Sequence, residues 1–402
     1  MMPVFYENHQ LKMGTNSKVL KSFLKDYSRP IYLYDLSDIQ WQCQALKKEI
    51  PHAHIFYAMK ANHHPEVLNT LRSIGCGLDI VSGGELRMGL SRGFLAENII
   101  FSGVGKKEIE IELAISSGLR QINVESIEEL ERIARIHEKT KSLKPAPIVL
   151  RLNPHIAIES HPYISTGLNE NKFGIPEEDL SQAISVLNQH KNNLELVGLS
   201  LHLGSQMTQL DPIEAGIKKI TTIFNNLRKT FSSVKRLDLG GGLGIDYKNR
   251  DSDFEKKLLK GYADIINFEL KELYKDPEFE LQLEPGRWMV AHSGVLITQV
   301  QYVKKTKFKN FVIVDTGMHH LMRPALYQAF HQVLPLELKS GTELLCDVVG
   351  PICESSDFIA KERKLTPVKE GDFLAILDVG AYGAVLANDY NLQDRPLEIT
   401  FT

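Results

Sequence analysis

Eight short apolar runs, with segments of helical period between them, fill residues 54 to 287 and leave few architectures open. The runs are "HIFYAMKA" (54–61), "LDIVS" (78–82), "NIIFSG" (98–103), "QINVES" (121–126), "APIVLRLN" (146–153), "LELVGLSLHLG" (194–204), "VKRLDLGGG" (234–242) and "FELQLEPGR" (279–287). They are rich in Ile, Val and Leu, the pattern of parallel strands covered on both faces. Between them lie amphipathic stretches such as "SIEELERIARIHEKT" (126–140), where Ile127, Leu130, Ile133, Ala134 and Ile136 share a helical face behind a capping Ser126. Eight such units over roughly 230 residues predict a (β/α)8 barrel, whose typical size is about 250 residues. An open doubly wound sheet is the alternative on periodicity alone. The longer connections 154–193 and 205–233 are expected to hold extra loop or helix.

Beyond Arg287 the texture changes. "GVLITQVQYVKKT", "NFVIVDTG", "TELLCDVVG" and "DFLAILDVGAYG" are β-rich, with turn residues between them. They predict a C-terminal all-β domain over 288–402, after a barrel over 37–287. Residues 1–36 form an N-terminal segment whose run "PIYLYDL" (30–36) is expected to add a strand to the β domain. A chain of 402 residues suits two domains.

The net charge is −3 with no long run of one sign, which argues against a nucleic-acid or membrane partner and for a small polar metabolite. Cys43, Cys76, Cys346 and Cys353 form no C-x-x-C pair and no disulfide framework. Such thiols fit a reducing compartment. The N-terminus lacks a signal-peptide core, and no stretch approaches the roughly 18 apolar residues of a membrane span. The expectation is a soluble cytoplasmic protein.

Barrel enzymes build their sites at the carboxyl ends of the strands. Lys60, His202, the Gly240-Gly241-Gly242 run and Glu284-Pro285-Gly286-Arg287 fall at the ends of runs one, six, seven and eight, so they are expected to converge on one rim. Lys60 can snorkel out of the barrel mouth on its aliphatic stem. Partly desolvated, its amine would instead be a Schiff-base nucleophile. The three glycines make either a tight turn or a nest of backbone N–H groups for a phosphate. They match neither a Walker loop nor G-x-G-x-x-G. Glu284 and Arg287 can form a local ion pair, or Glu284 can hold a cofactor's ring nitrogen protonated. A lysine, a phosphate nest and a carboxylate are the three anchors of pyridoxal phosphate. His202 alone reads as structural or as a ring-stacking residue. No H-x-x-x-H or Cys/His cluster points to a metal.

The stretches "FYAMKAN", "LDIVSGGEL", "FSGVGK", "HPYISTGLNENKFGI", "LHLGSQ", "LDLGGGLG" and "EPGR" resemble the fold-type III pyridoxal-phosphate decarboxylases. "DTGMHHLMRPALY", "GPICESSD" and "DVGAYG" narrow the resemblance to the diaminopimelate decarboxylase family, in order from about residue 30 to 396. The resemblance implies a barrel plus β domain of the alanine racemase/ornithine decarboxylase type. It implies that Lys60 joins the cofactor, that His202 stacks on its ring and that Glu284 faces the ring nitrogen. Asp79, Ser205, Gly240, Gly241, Gly242, Gly286, Arg287 and Tyr382 would complete the cofactor site. Arg287, Arg323, Tyr327 and Tyr382 would hold the substrate with Glu354.

Cys353 would be the proton donor, carried on a loop that reaches into the active site of a partner subunit in a homodimer. By itself Cys353 reads by default as an inert buried thiol, although the Pro and Gly around it mark an exposed loop. Ser356 stands where the family often has Gly, and Ala387 and Asn388 where serines and methionines are common; neither change removes a named chemical group. The first 29 residues carry no matching motif. The implied reaction is decarboxylation of meso-2,6-diaminopimelate to L-lysine and CO2, the last step of lysine biosynthesis. Two arginines for a distal carboxylate and Glu354 for a distal ammonium favour that substrate over ornithine or lysine. A decarboxylase for another amino acid, for carboxynorspermidine or for a siderophore precursor is the same-fold alternative. A non-catalytic pyridoxal-phosphate-binding regulator is the other.

Overall fold

A computed structural model describes residues 4–140, 142–153 and 172–402. Most of the "HPYISTGLNENKFGI" motif therefore lies outside the described residues. The chain separates into two compact units, one built from residues 44–245 and 253–286, the other from 1–43, 246–252 and 287–402.

The first unit holds eight parallel strands: Ala53–Ala58, Gly77–Ile80, Ile99–Phe101, Gln121–Val124, Ala146–Asn153, Leu194–Leu201, Arg236–Asp238 and Glu280–Leu283. The last pairs back onto the first, Leu281 against Ala53 and Leu283 against Ile55. The fourth pairs with the fifth, Ile122 against Ile148. The sheet is therefore a closed barrel, which excludes the open doubly wound alternative. A short strand, Ile175–Pro176, adds to the end of the fifth. The two long connections carry the helices Leu180–Gln189 and Asp211–Arg228.

Local chemistry explains the helix boundaries. Helix Ile127–Lys139 starts where the Ser126 hydroxyl accepts the Glu129 N–H, and it carries Glu128 and Glu129 in its first turn. It buries Leu130, Ile133, Ala134 and Ile136. After the first barrel strand, one 3-10 turn (Met59–Ala61) leads to helix Pro65–Ser73, whose cap is His64 and whose first residue is proline. Lys60 sits on that turn rather than in the strand, because the ladder gives way to the bond from the Ala58 N–H to the Pro285 carbonyl.

In the second unit the central strand Gly294–Lys305 pairs with Phe373–Leu377, Asn310–Val314 and Ile31–Asp35. Strand Leu344–Val349 extends the sheet beside Asn310–Val314, and Phe358–Leu365 follows it. On the other side, Ile31–Asp35 also pairs with Leu397–Phe401. Alternation sends Tyr32 and Tyr34 into a core with Leu296, Val300, Val314 and Ile376. It sends Ile31 and Leu33 the other way, against Leu11, Met13, Val295 and Ile297. Both faces are covered, so the strand reads as one apolar run.

The sequence reading did not separate residues 246–252 from the barrel, nor Arg287 from strand eight. That strand ends at Leu283, and Arg287 opens a short helix, Arg287–Val290, of the second unit. Among the described residues no helix is long and apolar enough to cross a membrane.

Candidate active site

Lys60, His202, Gly240–Gly242 and Glu284 all lie just past the carboxyl ends of barrel strands. Lys60 Nζ donates to Asp79 Oδ2 at 2.8 Å, and Asp79 is fully buried at the end of strand two. The turn that carries Lys60 is held by the Tyr57 hydroxyl donating to the Asn62 carbonyl and the His64 N–H donating to Asn62 Oδ1.

Glu284 and Asp238 form a buried acidic pair within the barrel. Asn123 Nδ2 donates to Glu284 Oε1 at 3.1 Å and to Asp238 Oδ2 at 3.5 Å, and the Ser102 hydroxyl donates to Glu284 at 3.3 Å. Below them the Gln121 and Gln282 amides exchange hydrogen bonds and orient Asn123 through its Oδ1. Burial pushes Glu284 well above the ordinary carboxylate range; the negative Asp238 and Asp79 add to this and Lys60 offsets it. Burial likewise raises Asp238, to about 6. Glu85 is raised to about 7 by burial, with Asp79 adding.

The glycine loop is fixed at both ends. Asp238 Oδ1 accepts the Gly240 N–H at 2.8 Å, and the Gly240 carbonyl accepts the Glu284 N–H at 2.7 Å. Gly240 and Gly242 have φ of +65° and +106°, and a Cβ on Gly241 would come within 2.1 Å of the Glu284 carbonyl oxygen. The Met207 N–H donates to the Gly242 carbonyl, which brings the Gly204–Ser205 turn onto this loop. His202 Nδ1 accepts the Gly241 N–H at 3.2 Å. Burial, then the charges of Arg151 and Lys60, hold His202 well below its usual value, so the imidazole is neutral.

These residues fit pyridoxal phosphate. Asp79 Oδ1 is buried with no hydrogen-bond partner among the described residues. The acidic pair beside it has Lys60 as its cationic neighbour, so a protonated ring nitrogen would relieve its excess negative charge. The Gly240–Gly242 loop beside them, glycine because its backbone packs directly on Leu201, Gly204 and Glu284, is the flexible, Cβ-free backbone from which a phosphate nest is built.

The substrate candidates gather in the second unit. The Arg287 guanidinium lies 5.0 Å from the Tyr382 ring and 5.6 Å from that of Tyr247, and Tyr327 adds to its electrostatic surroundings. Arg323 lies 4.5 Å from the Tyr247 ring, on helix Arg323–Tyr327. Cys353 and Glu354 occupy an exposed loop of the same unit. Asp357 anchors that loop by accepting the Met318 and Ile352 N–H groups, each at 2.6 Å. Glu354 accepts hydrogen bonds from the Tyr390 hydroxyl at 2.5 Å and the Ser356 hydroxyl at 3.1 Å.

Sequence reasoning missed Ser102, Asn123 and Asp238. The usable signal was a carboxylate two residues before three glycines at a strand end, and polar residues just past strand three and within strand four.

Residues 36–291 match the family model described as the pyridoxal-dependent decarboxylase, pyridoxal binding domain. A diaminopimelate decarboxylase of Aquifex aeolicus is 38% identical over 380 residues, 94% of this chain and 88% of that one. The crystal structure of diaminopimelate decarboxylase from Helicobacter pylori, complexed with L-lysine, superposes with a TM-score of 0.87 at 37% identity, covering 95% of this chain and 94% of that one. A lysine/ornithine decarboxylase from Vibrio vulnificus, 22% identical with a TM-score of 0.82 over 95% of this chain and 97% of its own, shares the fold. A closed barrel with a lysine and buried carboxylates at its mouth, joined to these likenesses over nearly the whole length, makes this chain a member of the diaminopimelate decarboxylase family of pyridoxal-phosphate enzymes.

Proposed function

We propose that the protein decarboxylates meso-2,6-diaminopimelate to L-lysine and CO2. The observation that carries this is the barrel mouth, where the Lys60 amine meets Asp79 at 2.8 Å beside the buried Glu284–Asp238 pair. Pyridoxal phosphate supplies the electron sink for the pair left behind when CO2 departs. Lys60 Nζ, held by Asp79 at the barrel mouth, would be the amine that holds the cofactor through its aldehyde and gives way to the substrate amine. Glu284 would hold the proton on the ring nitrogen, the neutral His202 would stack on the ring, and Asp79, which holds Lys60, would complete the cofactor site. Gly240–Gly242, Ser205 and Gly286 bind the phosphate, with Tyr382. Arg287 and Arg323, with Tyr327 and Tyr382, grip the distal carboxylate, and Glu354 takes the distal ammonium. Cys353 Sγ gives its proton to the carbon that lost CO2.

Cys353 and Glu354 are supplied by the partner subunit of a homodimer, and their exposure in a single chain supports this. Four cysteines with no disulfide among the described residues support a cytoplasmic site of action.

Borohydride reduction followed by peptide mapping is expected to label Lys60. Purified protein is expected to release CO2 from meso-diaminopimelate far faster than from ornithine. Equal rates on the two substrates would overturn the assignment.

A further inference from the structure

Arg287 and Arg323 are 8% and 5% exposed, and two neighbouring guanidiniums repel strongly where water is scarce. Burial, and the charge of Arg287, both disfavour the charged form of Arg323. Two side chains outside the expected site hold this pair. Tyr247 lies between them, its ring near both, and its hydroxyl oxygen accepts from Arg287 Nη1 at 2.6 Å. His331 Nε2 accepts from Arg323 Nη1 at 2.9 Å.

The tautomer of His331 follows from its other nitrogen. Nδ1 is 2.8 Å from the Leu377 carbonyl, which can only accept, so the ring proton is on Nδ1 and Nε2 is the acceptor. Burial first, then the charge of Arg323, push His331 down to about 3, so it stays neutral at ordinary pH. Tyr247 packs edge-on against His331 at 5.4 Å.

Both supports are fastened to consecutive residues. His331 hangs from Leu377, and the segment carrying Tyr247 is tied by an ion pair of 3.4 Å between Arg250 and Asp378. Asp378, at φ +60°, also accepts from His292 Nδ1 at 2.7 Å.

Resting on the function proposed above, we propose that Tyr247 and His331 are positioning residues for the substrate's distal carboxylate. They present Arg287 and Arg323 together, at a fixed angle, to one anion. A merely structural role would affect every ligand alike. A positioning role affects only ligands that carry the carboxylate.

The test compares L-lysine, which retains that carboxylate, with cadaverine, which lacks it, on the holoenzyme. His331→Leu is expected to raise the Kd for L-lysine and the KM for meso-diaminopimelate by about tenfold or more, with kcat changed by less than about threefold. The cofactor's visible spectrum and the Kd for cadaverine are expected to stay as in wild type. His331→Gln, which restores an acceptor, recovers most of the affinity. Tyr247→Phe, which removes only the hydroxyl, raises the Kd for L-lysine severalfold and carries the test if His331→Leu does not fold. Wild-type affinity for L-lysine in the variants overturns the proposal, as do equal losses for both ligands. A wild-type enzyme that neither binds L-lysine nor releases CO2 from meso-diaminopimelate overturns the functional reading and this proposal with it.

Discussion

Asp238 has two tasks that oppose each other. One oxygen accepts the Gly240 N–H and so shapes the loop, while the other lies near the Asn123 amide that also holds Glu284. Burying a second carboxylate beside Glu284 costs stability whenever both are charged. Its pKa rises from the usual 3.8 to about 6 on folding, so between those values the native state binds more protons than the unfolded one. Stability of the cofactor-free protein is therefore drained as pH rises through that window, the reverse of a salt-bridged aspartate. Asp238→Asn keeps an acceptor for the Gly240 N–H and removes the charge. Its stability relative to wild type is expected to improve between pH 4 and 6, by on the order of 1 to 3 kcal/mol, and to level off above 7. Urea melts across pH check this; a flat difference sinks it.

At the scale of elements, the helix Ile127–Lys139 was legible because its cap, its acidic first turn and its apolar spacing agree. Ser126→Ala leaves the Glu129 N–H without its side-chain acceptor and is expected to cost about 1 kcal/mol in denaturant melts. The glycine loop was legible only as glycines. What the sequence does not display is which atoms crowd it, and the Glu284 carbonyl lies where a Cβ of residue 241 would go. Gly241→Ala must displace that backbone, and with it the carboxylate on the same residue. Cofactor affinity is expected to fall by about tenfold or more, read by fluorescence titration of apoprotein. Unchanged affinity would show the loop has slack. Asn123 and Ser102 stayed hidden because a polar residue within or just past a buried strand announces burial without naming its partner.

For the whole molecule, the eight-fold alternation displayed the barrel, since strand and helix periods are local properties of the chain. Membership of a unit is not local. Residues 246–252 and Arg287 pack with the β unit although their sequence neighbours belong to the barrel. For the same reason Tyr247 and His331 were missed: nothing in "GIDYKNR" or "FHQVL" signals the arginines they hold. If Cys353 serves the partner's site, Lys60→Ala and Cys353→Ala proteins, each inactive, are expected to recover about a quarter of wild-type activity when mixed, because half the dimers form one intact site. No recovery after subunit exchange would place the thiol in its own subunit's site.

The strand Ile31–Asp35 is buried along its whole length, yet its neighbours are residues 294–297 and 397–401. On the ribosome it emerges before any of the barrel, and its first partner is made only after the barrel's last strand. Domains fold as their chains are completed. The nascent polypeptide must therefore carry a strand whose edges are unpaired and whose Tyr32 and Tyr34 face is uncovered until residues 294 and beyond are made. In the cell, folding of this protein would lean on a chaperone that shields residues 31–35 until residues 294–297 and 397–401 arrive.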